Sequence, residues 1–314
     1  MVKHQENKAP QISKEELNVR GRYVQVDSVR LDNKAIVAWG KLLTTAWILE
    51  DLYTDVDDPE LLIKGMKEAG LTADIFTFFE RFPEDNPKFD YYMEWEAYSI
   101  LPVTTYDDWY EKQIRKTTRH SVRAAAKKGV VTRMAEFNDD LVKGIMDIYD
   151  ETPTRQGKPF WHYKKGFEVL KEDLSRDLDR SEFIGAYYND ELIGFIKMLY
   201  ADKVADPVLC ISKMKHYDKR PNNALFAQAV KIAEERNIPY LHYGMWRRGS
   251  HAKFLAANGF KKVLCPRYFC PLTVKGKIAL KMRLHKDLNR VLQGNIKGKV
   301  VEIRESINKL TSRK

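Results

Sequence analysis

The amino-acid sequence predicts an α/β protein in which helices pack against a mixed sheet. Over residues 130–275, segments with the two-residue period of strands alternate with segments that have the 3.6-residue period of helices. Asn189 and Asp190 stand between two apolar runs, which is the pattern of a tight β-hairpin. The composition is 44% hydrophobic and 31% charged over 314 residues. This composition is that of a globular chain, long enough for one large domain or two ordinary ones.

The N-terminal part of the chain gives a mixed set of elements. We expect residues 1–22 to be a flexible polar tail and residues 23–106 to form a first half of the protein. In "DDPELLIKGMKEAG", Asp58 and Pro59 mark a helix start and Gly70 marks its end. The aromatic-rich runs "ADIFTFFERF" and "YYMEWEAYSILPV" predict two strands.

A run of unopposed positive charge follows this first half. Between residues 112 and 135 the chain has eight Lys or Arg residues and no Asp or Glu. Five of them recur at helical spacing, which predicts one connecting helix over residues 107–129 with a cationic face: Lys112, Lys116, Arg119, Arg123 and Lys127. Such a face is either solvated surface or a binding surface for a phosphate-rich partner. The absence of acidic partners favours binding.

Residues 130–275 give the most regular pattern in the chain. We expect two helices, the hairpin, a strand at 207–214, a long amphipathic helix, a buried strand at 238–244, a short helix and a final strand pair. The sheet is expected to splay between the strands at 207–214 and 238–244. Residues 276–314 are predicted to be a basic helical extension.

The net charge of +10 is unevenly distributed. Residues 112–135 carry +8, and residues 271–314 carry twelve basic against three acidic residues, or +9, which leaves −7 elsewhere. Two basic segments on an acidic body indicate a phosphate-rich cofactor, a nucleic acid or an anionic membrane surface as partner. Three cysteines without metal-ligand spacing, and an N-terminus without an apolar core, predict a reduced cytoplasmic protein with no metal site.

The order of elements over residues 130–275, closing on "FLAANGF", resembles the GNAT superfamily of N-acyltransferases. The basic run "KTTRHSVRAAAKKGVVTR", followed by "IYDETPTRQGKPFW", resembles the hinge of Fem-type transferases. Members of that family attach amino acids to peptidoglycan precursors from aminoacyl-tRNA. The resemblance implies a C-terminal GNAT-like acyltransferase domain preceded by a smaller, degenerate GNAT-like half.

The resemblance places the donor site at the start of the long helix. GNAT enzymes that use coenzyme A have a basic residue and a glycine loop there, where helix N–H groups hold the pyrophosphate. This chain has Lys219, Arg220, Asn222, Asn223 and Ala224, with Asn222 in place of the first glycine. Fem-type enzymes also lack the glycine loop. The tyrosine that often serves as general acid in GNAT enzymes is replaced here by Leu255.

Other candidate residues follow the strand "YLHYGMW". His242 and Tyr243 are candidate catalytic groups, but neighbours in a strand point to opposite faces, so at most one enters the cleft. Trp246 is a candidate substrate contact. The adjacent Arg247 and Arg248 suit a phosphate or carboxylate, or they are ordinary surface charge.

The loop "TPTRQGKPFWHY" supplies a second group of candidates. Arg155, Trp161 and His162 are candidate substrate contacts, since an indole beside basic residues on a loop is often functional. The alternative is that the aromatic residues simply anchor the loop in the core. Glu151 could act as a general base, or it could solvate the end of a helix.

Three functions are compatible with these patterns. The first is transfer of an aminoacyl or acyl group to an amine acceptor, with aminoacyl-tRNA as donor and the basic helix on its phosphates. The second keeps the reaction but makes acyl-coenzyme A the donor. The third is a degenerate GNAT-fold protein that binds nucleic acid or an anionic membrane surface without turnover.

Overall fold

A computed structural model describes residues 10–286 except 20–21, 32–33, 83–85 and 156. The strands are β1 (Ser13–Val19), β2 (Arg22–Leu31), β3 (Lys34–Trp39), β4 (Thr45–Ile48), β5 (Ile75–Phe79), β6 (Tyr92–Pro102), β7 (Val131–Ala135), β8 (Thr154–Arg155), β9 (Lys158–Pro159), β10 (Ser181–Tyr188), β11 (Glu191–Ala201), β12 (Val204–Ser212), β13 (Tyr240–Met245) and β14 (Lys261–Pro271). The α-helices are α1 (Pro59–Glu68), α2 (Tyr106–Asp108), α3 (Lys116–Lys127), α4 (Asp139–Tyr149), α5 (Phe167–Ser175), α6 (Pro221–Glu235), α7 (Ser250–Ala257) and α8 (Val274–Lys281). None of the helices in these ranges is long and apolar enough to cross a bilayer.

The chain divides into two compact units. Unit 1 contains Met1–Glu96 and Leu264–Lys314, and unit 2 is the continuous segment Ala97–Val263. These boundaries differ from the predicted ones, because α2 and α3 belong to unit 2 and most of β14 belongs to unit 1. Of the predicted C-terminal extension, α8 is helical, and residues 287–314 lie outside the described residues.

Unit 1 is built on a sheet with the strand order β1-β2-β3-β4-β5-β14-β6. β4 and β5 run parallel, and the other pairs described here, including β5 with β14, are antiparallel. Its core contains Phe76, Phe78 and Tyr268, with α1 packed over them through Leu62 and Met66. The predicted start of α1 is confirmed, since the Asp58 carboxylate accepts the N–H groups of residues 60 and 61.

The prediction of a flexible tail over residues 1–22 is wrong for its described part. Residues 13–19 form β1, which pairs along its length with β2. The polar side chains of this segment do not prevent strand formation, because backbone hydrogen bonds hold an edge strand to its neighbour. Cross-strand ion pairs such as Lys14 with Asp27 contribute further. Residues 1–9 lie outside the described residues.

Unit 2 is a mixed sheet covered on both faces. The strand order is β6-β13-β12-β11-β10-β7. Because neighbouring residues in a strand point to opposite faces, Ile184 packs with α3, α6 and α7, whereas Phe183 packs with α4 and α5. The predicted hairpin is confirmed: Asn189 and Asp190, with φ of 48° and 59°, join β10 to β11. The predicted mixed α/β class is therefore confirmed.

The predicted continuous helix over residues 107–129 is wrong. The chain is α-helical in α2, π-helical over Trp109–Gln113, and then extended at Ile114 and Arg115 before α3 begins. Ile114 leaves the helix because its side chain is buried in the core of unit 2. Lys112 therefore lies on the segment before the break and pairs with Asp108 instead of extending the α3 face.

Candidate functional site

The sheet of unit 2 opens between β12 and β13, as the sequence predicted. Over their described length these parallel strands pair only at Val204 with Tyr240 and Ala205 with Leu241. β12 then continues to Ser212 and β13 to Met245 without pairing to each other. The fork between the two strands leaves backbone groups inside the sheet without the strand partner that they would otherwise have.

Tyr243 lies at this fork on the face covered by α6. Its ring packs 5.6 Å from the ring of Phe226, and its hydroxyl is hydrogen-bonded to the thiol of Cys210 on β12. The side chain is partly exposed, and desolvation of its hydroxyl raises the pKa of Tyr243 well above its ordinary value of 10. Tyr243 is therefore a protonated donor and not a base near neutral pH.

His242 lies on the opposite face of β13. Its Nδ1 is 2.9 Å from Oδ2 of Asp206, and both side chains are fully buried. This pair stands directly after the last backbone pairing of the fork, so it joins β12 to β13 where their ladder ends. His242 and Tyr243 are thus on different faces, as the strand period requires.

The start of α6 has an unusual geometry. Arg220 adopts the left-handed conformation, with φ 61° and ψ 41°, and Pro221 is the first helical residue. The N–H groups of Asn223 and Ala224 both donate to the carbonyl of Arg220, so they are not available to a ligand. Asn222 is partly exposed, yet its Oδ1 is buried and has no hydrogen-bond partner among the described residues.

The C-terminal end of α3 lies beside the start of α6. Lys128 donates to the carbonyl of Asp218 at 2.8 Å, and Lys219 lies over the ring of Tyr188 at 4.7 Å. α3 also packs along α6. The exposed side chains of Lys116, Arg123 and Lys127 have no acidic partner within the described ranges. This α3 cation row, Lys116, Arg123 and Lys127, leads towards the predicted donor position.

Arg119 has a different position from the rest of α3. Its Nη1 donates to the backbone carbonyls of Tyr110, Glu111 and Ile114 at 3.2, 2.7 and 3.1 Å. The carbonyls of Tyr110 and Glu111 belong to the π-helical segment and would otherwise lack helical partners, and Ile114 follows that segment. Arg119 therefore joins α3 to the preceding segment.

The loop after α4 holds the second group of candidates in structural contacts. Glu151 accepts the N–H groups of Met214 and Lys215 at 2.6 and 2.8 Å, which caps the 3-10 helix Met214–Lys219. Arg155 donates to the carbonyls of Ser212 and Ile148 at 2.8 and 2.9 Å. Both side chains hold this loop to the end of β12.

The aromatic residues of the same loop have different exposures. His162 is buried between Trp161 and Tyr149, and this burial lowers its pKa from 6.5 to about 3. Trp161 is about one-third exposed and has the Lys165 ammonium 4.3 Å from its ring centre. Trp161 is thus the accessible residue of the pair.

The remaining candidates follow β13. Trp246 is half-buried and packs against the core of unit 2, and its backbone N–H donates to the carbonyl of Ala97. Arg247 and Arg248 are exposed. Leu255 is fully buried in the same core, and its hydrocarbon side chain has no group that could transfer a proton.

A cavity of about 570 Å³ lies away from these residues, between α4 and the β10–β11 turn. Its lining includes Arg133, Lys143, Asp147, Asp190 and Lys213, and none of the catalytic, donor or substrate residues predicted from the sequence. Sequence reasoning also missed Cys210 and Asp206, because each contacts a residue more than thirty positions away. Strand periodicity gives the face of a residue but not its partner on another strand.

Comparison with known proteins identifies the fold. No family model and no curated relative matches the sequence. Among solved structures, the chain is similar to FemX, with a TM-score of 0.57 and 11% identity over 87% of this chain and 90% of that one. It is also similar to L-PGS from Bacillus licheniformis, with a TM-score of 0.53 and 13% identity over 82% and 86% of the two chains.

A third similar structure is the C-terminal domain of a protein assigned as a lysylphosphatidylglycerol synthetase from Agrobacterium fabrum. Its TM-score is 0.52, with 13% identity over 81% of this chain and 85% of that one. At these identities the likeness concerns the fold. The predicted Fem-type layout is therefore confirmed at the level of the fold.

Proposed function

We propose that the protein is an N-acyltransferase that moves an aminoacyl or acyl group from a phosphate-containing donor to an amine. The observation that carries this proposal is the protonated Tyr243 hydroxyl at the fork between β12 and β13. The amine nitrogen attacks the acyl carbonyl carbon, an amide bond forms, and the thioester or ester bond breaks. Tyr243 donates its proton to the leaving sulfur or oxygen, and the proton that the attacking amine loses then reprotonates Tyr243.

The donor is proposed to bind along α3 and the start of α6. Lys116 and Lys127 are eleven residues apart, so the α3 cation row is about 16 Å long at 1.5 Å per residue. A pyrophosphate spans only part of such a row, whereas a nucleic-acid backbone can follow all of it. The row therefore favours aminoacyl-tRNA over acyl-coenzyme A. Lys219, Arg220 and the Asn222 side chain would then meet the acyl end of the donor.

Neither Glu151 nor His242 is placed to act as the general base that takes the proton of the amine. Both carboxylate oxygens of Glu151 accept backbone N–H groups, and His242 lies on the far face of β13. We therefore propose that the acceptor enters as the free amine. Trp161, Trp246, Arg247 and Arg248 remain the proposed contacts for its other groups.

A binding function without turnover is the second candidate, and the start of α6 favours it over transfer from acyl-coenzyme A. Two of its N–H groups bond to Arg220, and Pro221 has none, so few donors remain for a pyrophosphate. In this alternative the α3 cation row binds nucleic acid, and no acyl group is transferred.

The test measures binding and turnover separately. tRNA charged with a labelled amino acid is titrated against the protein at several salt concentrations, and transfer to lysine amide is followed in the same samples. The proposal expects salt-dependent binding, and transfer that Tyr243→Phe slows by about 10²–10⁴-fold without weakening binding. Binding without transfer favours the second candidate. Transfer from acetyl-coenzyme A alone would assign the other donor, and the absence of both binding and transfer refutes the proposal.

A further inference from the structure

Helix α8 in unit 1 presents an apolar ridge to solvent. Val274, Ile278 and Met282 follow one another at intervals of four residues, and they are 73%, 53% and 63% exposed. Large apolar side chains in soluble proteins are normally exposed singly rather than in a row. The spacing places all three along one face of the helix and its last turn.

The opposite face of α8 fixes this orientation. Ala279 and Leu280 are buried against Ile75 and Phe269. A Cβ at Gly276 would lie 2.0 Å from the carbonyl oxygen of Asp74, so only glycine allows this close approach of the helix to the sheet. The ridge therefore cannot turn inwards without breaking this packing.

A loop beside α8 adds a further exposed apolar residue. Leu42, at the tip of the loop between β3 and β4, is 86% exposed. The Asp74 carboxylate accepts the N–H of Thr44 at 3.0 Å and the hydroxyl of Thr273 at 2.8 Å, which joins the base of the loop to the start of α8. Leu42 and the ridge thus belong to one local structure.

Positive charge surrounds this apolar surface. Residues 271–286 include no acidic residue. Lys275 pairs with Asp74 and Lys286 with Glu94. Four further exposed cations have no acidic partner within the described ranges: Lys41, Lys277, Lys281 and Arg283. An apolar centre with a cationic margin is the arrangement of helices that lie in the interface of an anionic bilayer.

We propose that the α8 surface, made of Leu42, Val274, Ile278 and Met282 with the surrounding cations, binds the face of an anionic lipid bilayer. The apolar side chains insert among the acyl chains while the cations contact lipid phosphates. A stable protein interface uses about 20–30 residues on each side. A bilayer requires only a few inserted side chains with nearby charge, and the protein surface that binds it need not have a complementary shape. The small, charge-bordered ridge fits the bilayer.

The experiment is co-sedimentation of the full chain with vesicles of phosphatidylcholine alone or with an equal amount of phosphatidylserine. We expect binding to the anionic vesicles only, and weaker binding as salt increases. Lys277→Gln with Lys281→Gln should weaken binding by about fivefold per lysine, which corresponds to about 1 kcal/mol per charge. Ile278→Ser with Met282→Ser should weaken it by about tenfold or more, because apolar surface no longer leaves water.

Matched changes on α1 provide the control. Leu61 is 59% exposed and Lys67 is also exposed. Leu61→Ser with Lys67→Gln therefore makes the same kinds of change, apolar to Ser and Lys to Gln, elsewhere on unit 1, and it should leave binding unchanged. The proposal is overturned if wild-type protein does not sediment with anionic vesicles, or if the control pair weakens binding as much as the α8 pairs. It is equally overturned if only Arg123→Gln with Lys127→Gln weakens binding, or if the ridge supports self-association without vesicle binding.

Discussion

Arg119 and Arg123 lie one helical turn apart on α3 but have different surroundings. Arg119 donates through Nη1 to three backbone carbonyls of the preceding segment. Arg123 is exposed and has no acidic partner among the described residues. Replacing each one separately by Gln preserves helix propensity. The two variants should therefore separate a loss of stability from a loss of binding.

The expected loss of stability follows from the Arg119 contacts. A hydrogen bond to a charged group contributes about 1.5–3 kcal/mol. The three carbonyls share one nitrogen of a half-buried side chain, so we expect a total loss of about 1–2 kcal/mol for Arg119→Gln. For a unit of about 150–250 residues this lowers Tm by about 2–8 °C. Arg123→Gln should change stability by less than about 0.5 kcal/mol.

The assay pairs thermal unfolding, followed by circular dichroism, with tRNA binding measured at several salt concentrations. Arg123→Gln should flatten the slope of log affinity against log salt by about 0.7–0.9, the value for one phosphate contact. Arg119→Gln should lower Tm and leave this slope nearly unchanged. An unchanged Tm for Arg119→Gln would refute the capping role. An unchanged slope for Arg123→Gln would remove the α3 cation row from the donor site.

Three further predictions concern single residues of unit 2. Tyr243→Phe should lower the transfer rate by about 10²–10⁴-fold with little change in Tm. The pKa of Tyr243 is raised well above 10, so ionisation of this tyrosine should not lower the wild-type rate between pH 7 and 9. Burial lowers the pKa of His162 to about 3, so below pH 6.5 the unfolded chain binds a proton that the folded chain does not. Stability should thus fall as pH drops from 6.5 towards 3, by at most about 1.4 kcal/mol per pH unit, and denaturant titrations of His162→Leu should show a smaller fall. Glu151→Gln should cost about 0.5–2 kcal/mol in thermal unfolding through the lost cap and leave the pH profile of transfer unchanged. A pH profile that changes with Glu151→Gln would make Glu151 the base.

Elements with strong local chemistry could be predicted from the sequence. α1 begins where Asp58 and Pro59 predict, because a capping carboxylate and a proline with fixed φ act within one turn. The β10–β11 hairpin forms at Asn189 and Asp190 for a similar reason, since both residues tolerate positive φ. In both cases the deciding interactions lie within a few residues.

Elements decided by distant contacts could not be predicted. The break at Ile114 depends on the core of unit 2 and on the Arg119 contacts, while the charge spacing is the same for one helix or two. The strand β1 depends on pairing with β2 and not on its own polar sequence. The hydrogen bond between Tyr243 and Cys210 depends on β12 and β13 being neighbours in the sheet, and the periodicity of a sequence does not predict strand order.

The pairing of β5 with β14 has a consequence for synthesis on the ribosome. Residues 75–79 bond to residues 267–271, whereas unit 2 is continuous from 97 to 263. The strands of unit 2 before β14 are therefore all synthesised before β14 leaves the ribosome. Until then the sheet of unit 1 is incomplete, and the edge of β5 that pairs with β14 is unpaired. Chains fold segment by segment as they emerge, so the second unit should fold first here. During this interval the β5 edge, with Phe76 and Phe78 beside it, is an unpaired strand edge that another chain could join.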